Sequence, residues 1–253
     1  MYKPREVSEI LKSFLYGRDD VIAAWEGGSA ATGYYDEFSD LDLAIVSEDD
    51  KVEEIFTAFE DLISEKFGII RKYRIPEPAW HGFSQCFYQI DNVPKLYYLD
   101  IAVIKKSIKD KFTESDRHGD AVVWFEKEKM IDSTPFSEES KLELCKKMYK
   151  AATSADFLIL IEVKKNLGRD RFSEAFPPFY QFLNRFLAPL LNILHRPEKA
   201  DFGLRYAYRD YPQADFQLIE KSFAVSNCEE LKTVLAIVEE RYEELVNVLV
   251  RLK

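Results

Sequence analysis

The chain has few cysteines and histidines, with three of each among its 253 residues. Cys86, Cys145 and Cys228 lie far apart and form no CxxC pair. An odd number of widely spaced cysteines is typical of a reduced protein and not of a disulfide framework. We therefore expect a cytoplasmic protein.

Long apolar runs are also missing. The segment "FLAPLLNILH" is short and contains Pro189, whereas a membrane helix needs about 18 apolar residues or more. The first residues, "MYKPREVSEILKSF", are charged and lack the apolar centre of a signal peptide. The sequence therefore predicts no association with a membrane.

Positive charge is the third shortage. The chain carries 35 Lys and Arg residues against 45 Asp and Glu residues, a formal net charge of -10. A general nucleic-acid binder needs a basic surface that displaces counterions, so the balance argues against that class. It is compatible with a small anionic ligand held by a few local bases, and it suits a cationic substrate.

Hydrophobic periodicity divides the chain near residue 135. Before it, helical spacing alternates with β-branched and aromatic segments that predict strands. After it, helical spacing dominates, interrupted by "DFGLRYAYRDYP". We predict an α+β protein with a mixed-sheet domain over 1–135 and an all-helical bundle over 136–253. The predicted helices lie at 4–17, 50–66, 138–167, 173–197 and 227–252. Strands are predicted at 20–26 and 41–46, with two or three more between 67 and 104. A short edge strand and a turn are predicted within 121–133.

The most informative stretch is "WEGGSAATGYYDEFSDLDLAIV". Side chains alternate along a strand, so Asp40 and Asp42 share one face while Leu41, Leu43 and Ile45 share the other. Two carboxylates about 7 Å apart repel each other unless a cation lies between them. Hard divalent cations such as Mg²⁺ prefer oxygen ligands, so the acidic face predicts a metal site.

The glycines before this strand predict an anion site opposite the acids. Gly27 and Gly28 permit backbone geometry that other residues avoid, and Ser29 begins a short helix whose N–H groups face an anion. A phosphate site facing two carboxylates is the arrangement used in metal-assisted phosphoryl or nucleotidyl transfer. Asp100, set between Leu99 and Ile101, is the best candidate for a third acid, because a carboxylate in an apolar strand is costly unless it is paired or metal-bound.

Together these residues resemble the signature of the nucleotidyltransferase superfamily, which has the polymerase-β-like fold. "SDLDL" after glycine-serine is similar to the bacterial form, and the length resembles that of the kanamycin and related aminoglycoside nucleotidyltransferases. The resemblance implies that Asp40 and Asp42 bind two Mg²⁺ ions and that Asp100 completes one of the two sites. It also implies that 1–135 is the catalytic domain and that the helical bundle over 136–253 is a substrate-binding domain. By the same resemblance, AMP moves from ATP to a hydroxyl of a small acceptor, such as an aminoglycoside-like antibiotic, with release of pyrophosphate.

One departure from the family is visible at Ala30, Ala31 and Thr32, where many members carry an arginine. Arg209 is our candidate for a nucleotide-binding base, because a helix would place it on one face with Arg205, beside two tyrosines. The alternative is a structural corner in which Arg209 and Asp210 pair with neighbouring residues. Glu162 is a guess for the general base that some aminoglycoside enzymes take from the helical domain.

Other residues and function classes remain open at this stage. Trp80 and His81 lie in a loop between strands, where they either contact substrate or cover the sheet. His118 and His195 have no partner at metal-ligand spacing, so we assign them structural or surface roles. The alternatives to a small-molecule enzyme are an antitoxin-type protein adenylyltransferase and a catalytically silent nucleotide-binding protein. A helical bundle can dimerise, so the sequence leaves both a monomer and a homodimer open.

Overall fold

The computed structural model describes residues 1–252 and divides the chain into two compact units, Met1–Pro135 and Phe136–Lys253. The first unit contains a mixed sheet and the second is helical, which confirms the predicted α+β class. Within the described residues, no helix combines the length and apolar character that a membrane span requires.

The first unit is built on a six-stranded sheet, counted over the described residues, in the order β3-β4-β5-β2-β1-β6. Strands β2 and β5 pair in parallel, and the other neighbours are antiparallel. The predicted edge strand is confirmed as β6. The elements of this unit are α1 (Pro4–Tyr16), β1 (Val21–Glu26), α2 (Gly28–Thr32), β2 (Leu41–Ser47), α3 (Val52–Lys66), β3 (Ile69–Arg74), β4 (Ser84–Ile90), β5 (Leu99–Lys105), α4 (Ser115–His118) and β6 (Val122–Glu126).

The alternation of β2 has the predicted consequence on one face. Leu41, Leu43 and Ile45 are buried in the main core of this unit, with α1 and α3. The acidic face differs from the expectation further along the strand. Val46 is also buried there, in a second, smaller core that includes Trp25 and Ile104. The acids therefore occupy only the beginning of a face whose far end is apolar.

The second unit is helical, with more interruptions than the sequence predicts. Its elements are α5 (Glu138–Ala152), α6 (Asp156–Gly168), α7 (Phe172–Phe182), a π-helical turn (Leu183–Leu187), α8 (Ala188–His195), α9 (Ala207–Asp210), α10 (Gln213–Phe223) and α11 (Cys228–Val248). The single helix predicted over 138–167 is wrong at residues 153–155. There the hydroxyls of Thr153 and Ser154 bond the carbonyl oxygens of Tyr149 and Ala151, which competes with helix continuation.

Two aspartates of the helical unit, the buried Asp215 and the partly buried Asp210, are bound by arginines. Asp215 receives two hydrogen bonds from Arg241, at 2.8 and 2.9 Å, and its Oδ2 lies 2.7 Å from Nε2 of His195. Asp210 lies 2.8 Å from Nη1 of Arg196, which is itself buried. Burial alone would raise the pKa of both carboxyls, but the hydrogen bonds from the bases outweigh it and both pKa values are lowered. These pairs stabilise the helical core.

Candidate active site

The three predicted acids lie on one face of the sheet at its centre. Strands β2 and β5 pair in parallel with Asp42 directly opposite Asp100, and Asp40 immediately precedes β2. All three aspartates are half-buried. Neighbouring strands hold side chains at equivalent positions about 5 Å apart, so the register brings Asp42 and Asp100 together.

The glycine turn packs directly against Asp42. The Gly27 N–H donates to the Asp42 carbonyl at 2.9 Å, and Gly28 follows with a positive φ of +52°. A Cβ added to Gly28 would lie only 1.6 Å from Oδ2 of Asp42. No side chain fits there, so glycine is required both by the left-handed backbone and by the close carboxylate.

Helix α2 contacts the segment that follows α4, at Gly119 and Asp120, and the sequence does not predict this contact. Ala31 is buried, and its carbonyl accepts a 2.9 Å hydrogen bond from the Asp120 N–H. A Cβ at Gly119, whose φ is +83°, would come within 2.4 Å of that same carbonyl oxygen. The segment after α4 therefore helps to position α2, and with it Gly28 and Ser29, next to the acids.

Asp100 has a shifted pKa. Burial raises the pKa of its carboxyl to about 6, opposed by a hydrogen bond from Gln85 and supported by the negative charge of Asp40. The Gln85 Nε2 donates to Oδ1 of Asp100 at 2.6 Å. A carboxylate that ionises reluctantly gains from a bound cation, so this shift is of the kind expected at a functional site.

Two tyrosines border Asp40. The Tyr98 side chain lies near Asp40, and burial followed by its interaction with Asp40 raises the pKa of Tyr98. Tyr97 is buried, and burial together with the nearby Tyr35, Glu26 and Asp40 raises its pKa as well. Both phenols therefore stay protonated at neutral pH, so neither adds negative charge beside Asp40.

The donor set fits a hard cation in chemical type, since it offers carboxylate oxygens on adjacent strands beside a glycine turn that no side chain fills. Among residues 1–252, however, no group of three or more His, Cys, Asp or Glu side chains is gathered closely enough to hold an ion. The acids have other contacts: Asp40 with Tyr98, Asp100 with Gln85, and Asp42 against Gly28.

The helical-unit candidates lie in a different setting. Helix α9 begins only at Ala207, after Tyr206 with φ +63°, so Arg205 and Arg209 do not share a helix as predicted. The Arg209 Nε donates to Asp210 at 2.8 Å, and its guanidinium lies 4.4 Å from the Tyr206 ring centre. These contacts match the structural-corner alternative.

Glu162 is exposed on α6 and pairs with Lys165 at 2.9 Å, a contact that lowers the pKa of its carboxyl. A lowered pKa makes Glu162 a weaker base than an ordinary glutamate. His195, to which the sequence assigned no partner, contacts the buried Asp215. Asp215 is 20 residues from His195 in the sequence, so no short-range pattern predicts the contact.

Comparison with known proteins assigns the family. A family model described as a nucleotidyltransferase domain matches residues 4–145, more than half of the chain. The chain belongs to the nucleotidyltransferase domain family. It is a nucleotidyltransferase enzyme, and the matched range contains the glycine turn and all three acids.

Among solved structures, this nucleotidyltransferase is similar to an aminoglycoside 6-adenyltransferase from Bacillus subtilis. The match has a TM-score of 0.37 and 14% identity, and it covers 98% of this chain and 91% of the other. A likeness at this level carries no information about the substrate. A search of curated proteins finds no match.

Proposed function

We propose that this nucleotidyltransferase moves AMP from ATP to a hydroxyl of a small acceptor and releases pyrophosphate, in a cytoplasmic setting. The single observation that supports this best is the pairing of Asp42 with Asp100 across β2 and β5, beside the glycine turn. It supplies oxygen ligands and a side-chain-free surface at the same point of the sheet.

In this proposal Asp40, Asp42 and Asp100 hold Mg²⁺, with two ions expected by analogy with the family. Bound Mg²⁺ would neutralise charge on the phosphates and polarise the reacting phosphorus centre. Tyr98 is a neutral neighbour of Asp40, and Gln85 holds one oxygen of Asp100. The backbone of Gly28 and Ser29 lines the phosphate side, because neither a side chain nor a Cβ at position 28 obstructs it.

The acceptor is the less constrained part of the proposal. We propose a small polyhydroxylated cation of the aminoglycoside type, because the chain has a net charge of -10. Arg209 is retained as a nucleotide-binding candidate only if it leaves Asp210, its present partner. The general base stays unassigned, since the pKa of Glu162 is shifted in the wrong direction.

The experiment is a pyrophosphate-release screen with Mg²⁺ and ATP over aminoglycosides, lincosamides, nucleotides and small proteins. We expect turnover with an aminoglycoside-type acceptor and none after EDTA is added. Turnover with a protein alone would favour the antitoxin-type alternative. Mg-ATP binding without turnover on any acceptor would favour a silent nucleotide-binding protein.

A further inference from the structure

Strand β4 carries a hydrogen-bond donor, Gln85, next to Asp100. Gln85 lies on β4 opposite Ala102 of β5, and the next pair on that face is Phe87 with Asp100. Gln85 and Asp100 therefore share the acidic face of the sheet, and the Gln85 Nε2 reaches Oδ1 of Asp100 at 2.6 Å.

This contact fixes which way the Gln85 amide faces. An ionised carboxylate only accepts hydrogen bonds, so the amide must present its NH₂ group to Asp100 and direct its oxygen elsewhere. The contact occupies Oδ1 of Asp100 and leaves Oδ2 for a ligand. A glutamine with the opposite amide orientation would place two acceptors against each other.

We propose that Gln85 is a positioning residue that holds Asp100 with one oxygen directed to the cation. Gln85 does not touch the ligand and acts through Asp100. The inference rests on the proposed function, in which Asp100 is a cation ligand. Groups that orient metal ligands typically contribute about 10- to 100-fold to metal affinity.

The test is isothermal titration of the full chain with Mn²⁺ in the presence of the non-hydrolysable analogue α,β-methylene-ATP. Gln85→Leu should weaken Mn²⁺ binding about tenfold. Gln89→Leu is the matched control, because Gln89 lies on the same strand and the same face but is exposed. It should bind Mn²⁺ as the unmodified chain does, and equal affinities for the two variants would overturn the proposal.

Gln85→Met is a second variant, because it keeps the length of the side chain and removes the amide donor. It should weaken Mn²⁺ binding as Gln85→Leu does. Binding equal to that of the unmodified chain would overturn the proposal. Gln85→Met also decides the question if Gln85→Leu does not fold.

Asp100→Asn in the same titration separates a failure of the proposed function from a failure of the positioning role of Gln85. Undiminished Mn²⁺ binding by Asp100→Asn would contradict the proposed function itself. Weakened binding by Asp100→Asn together with normal binding by Gln85→Leu would overturn only the positioning role. Weakened binding by both, with a normal Gln89→Leu, supports the proposal.

Discussion

Aspartates of the two units have pKa values that are shifted in opposite directions. In the helical unit, Asp210 and Asp215 face arginines and their pKa values are lowered. In the sheet unit, Asp100 faces a neutral glutamine and a second acid, and its pKa is raised to about 6. A buried charge that has a base beside it supports the fold, whereas one held by neutral donors is costly until a cation arrives.

The contrast extends to the neighbours of each acid. Asp40 is bordered by Tyr98, whose neutral hydroxyl leaves the carboxylate charge uncompensated. Asp215 is enclosed by Arg241 and His195, with two arginine hydrogen bonds within 2.9 Å. In the sheet unit the negative charge of the acids is therefore available to a ligand, whereas in the helical unit arginines neutralise the charge of the aspartates.

The largest expected effect comes from filling the surface beside Asp42. Gly28→Ala would place a methyl group 1.6 Å from Oδ2 of that carboxylate. Overpacking costs about 1–3 kcal/mol and the left-handed backbone about 1 kcal/mol more, so the site must distort and we expect about 100-fold weaker Mg-ATP binding. Gly33→Ala is the control, since Gly33 has φ +73° but open space around it. Equal losses for both variants would show that strain alone is responsible.

The second prediction concerns the ion pair between Arg241 and Asp215 in the helical unit. Arg241→Met removes the main partner of Asp215, which is buried. Leaving a buried carboxylate without its arginine should cost about 3 kcal/mol of unfolding free energy, measured by urea denaturation with circular dichroism. Mg-ATP binding should be unchanged in the folded protein. A stability loss below about 0.5 kcal/mol would place this pair with ordinary surface ion pairs.

The smallest expected effect is a gain in stability. Because the folded pKa of Asp100 is about 6 against an ordinary 3.8, the folded chain retains a proton that the unfolded chain releases between those values. Ionised Asp100 therefore costs stability as pH rises through this window, and the cost is complete above about pH 6.

Asp100→Asn removes this cost. Without metal, we expect it to raise the unfolding free energy by about 1–2 kcal/mol at high pH and by little below the unfolded pKa of 3.8. Urea denaturation at about pH 8 and about pH 3, on either side of the two pKa values, measures the difference. Asp19→Asn, at an exposed position of the same unit, is the control. A gain that does not depend on pH would contradict the assignment to Asp100 ionisation.

Local patterns in the sequence predict much of the acidic face. Alternation places Asp40 and Asp42 opposite Leu41 and Leu43, and the glycines mark the turn that packs against them. An isolated acid between two aliphatic residues was enough to select Asp100. These signals are local because a strand's two faces and a glycine's freedom are properties of a few consecutive residues.

Contacts between distant segments are the part that local patterns do not reveal. The register of β4 on β5 brings Gln85 to Asp100, and a segment near Gly119 supports Ala31. Neither pairing has a spacing signature, because each depends on how separate strands and helices pack. The same reason hides the Asp215 partner of His195. The π-helical turn at Leu183–Leu187 is similarly invisible, since its hydrophobic spacing continues that of the flanking helices.

Isothermal titration with Mg²⁺ and ATP, comparing the unmodified chain with Asp42→Asn, tests the central claim most directly. The substitution keeps the shape of the side chain against Gly28 and removes one ligand charge. We predict about 100-fold weaker Mg-ATP binding, with Asp50→Asn, an exposed control after β2, unchanged. Equal binding by the Asp42 variant and the unmodified chain would contradict a cation site on the acidic face.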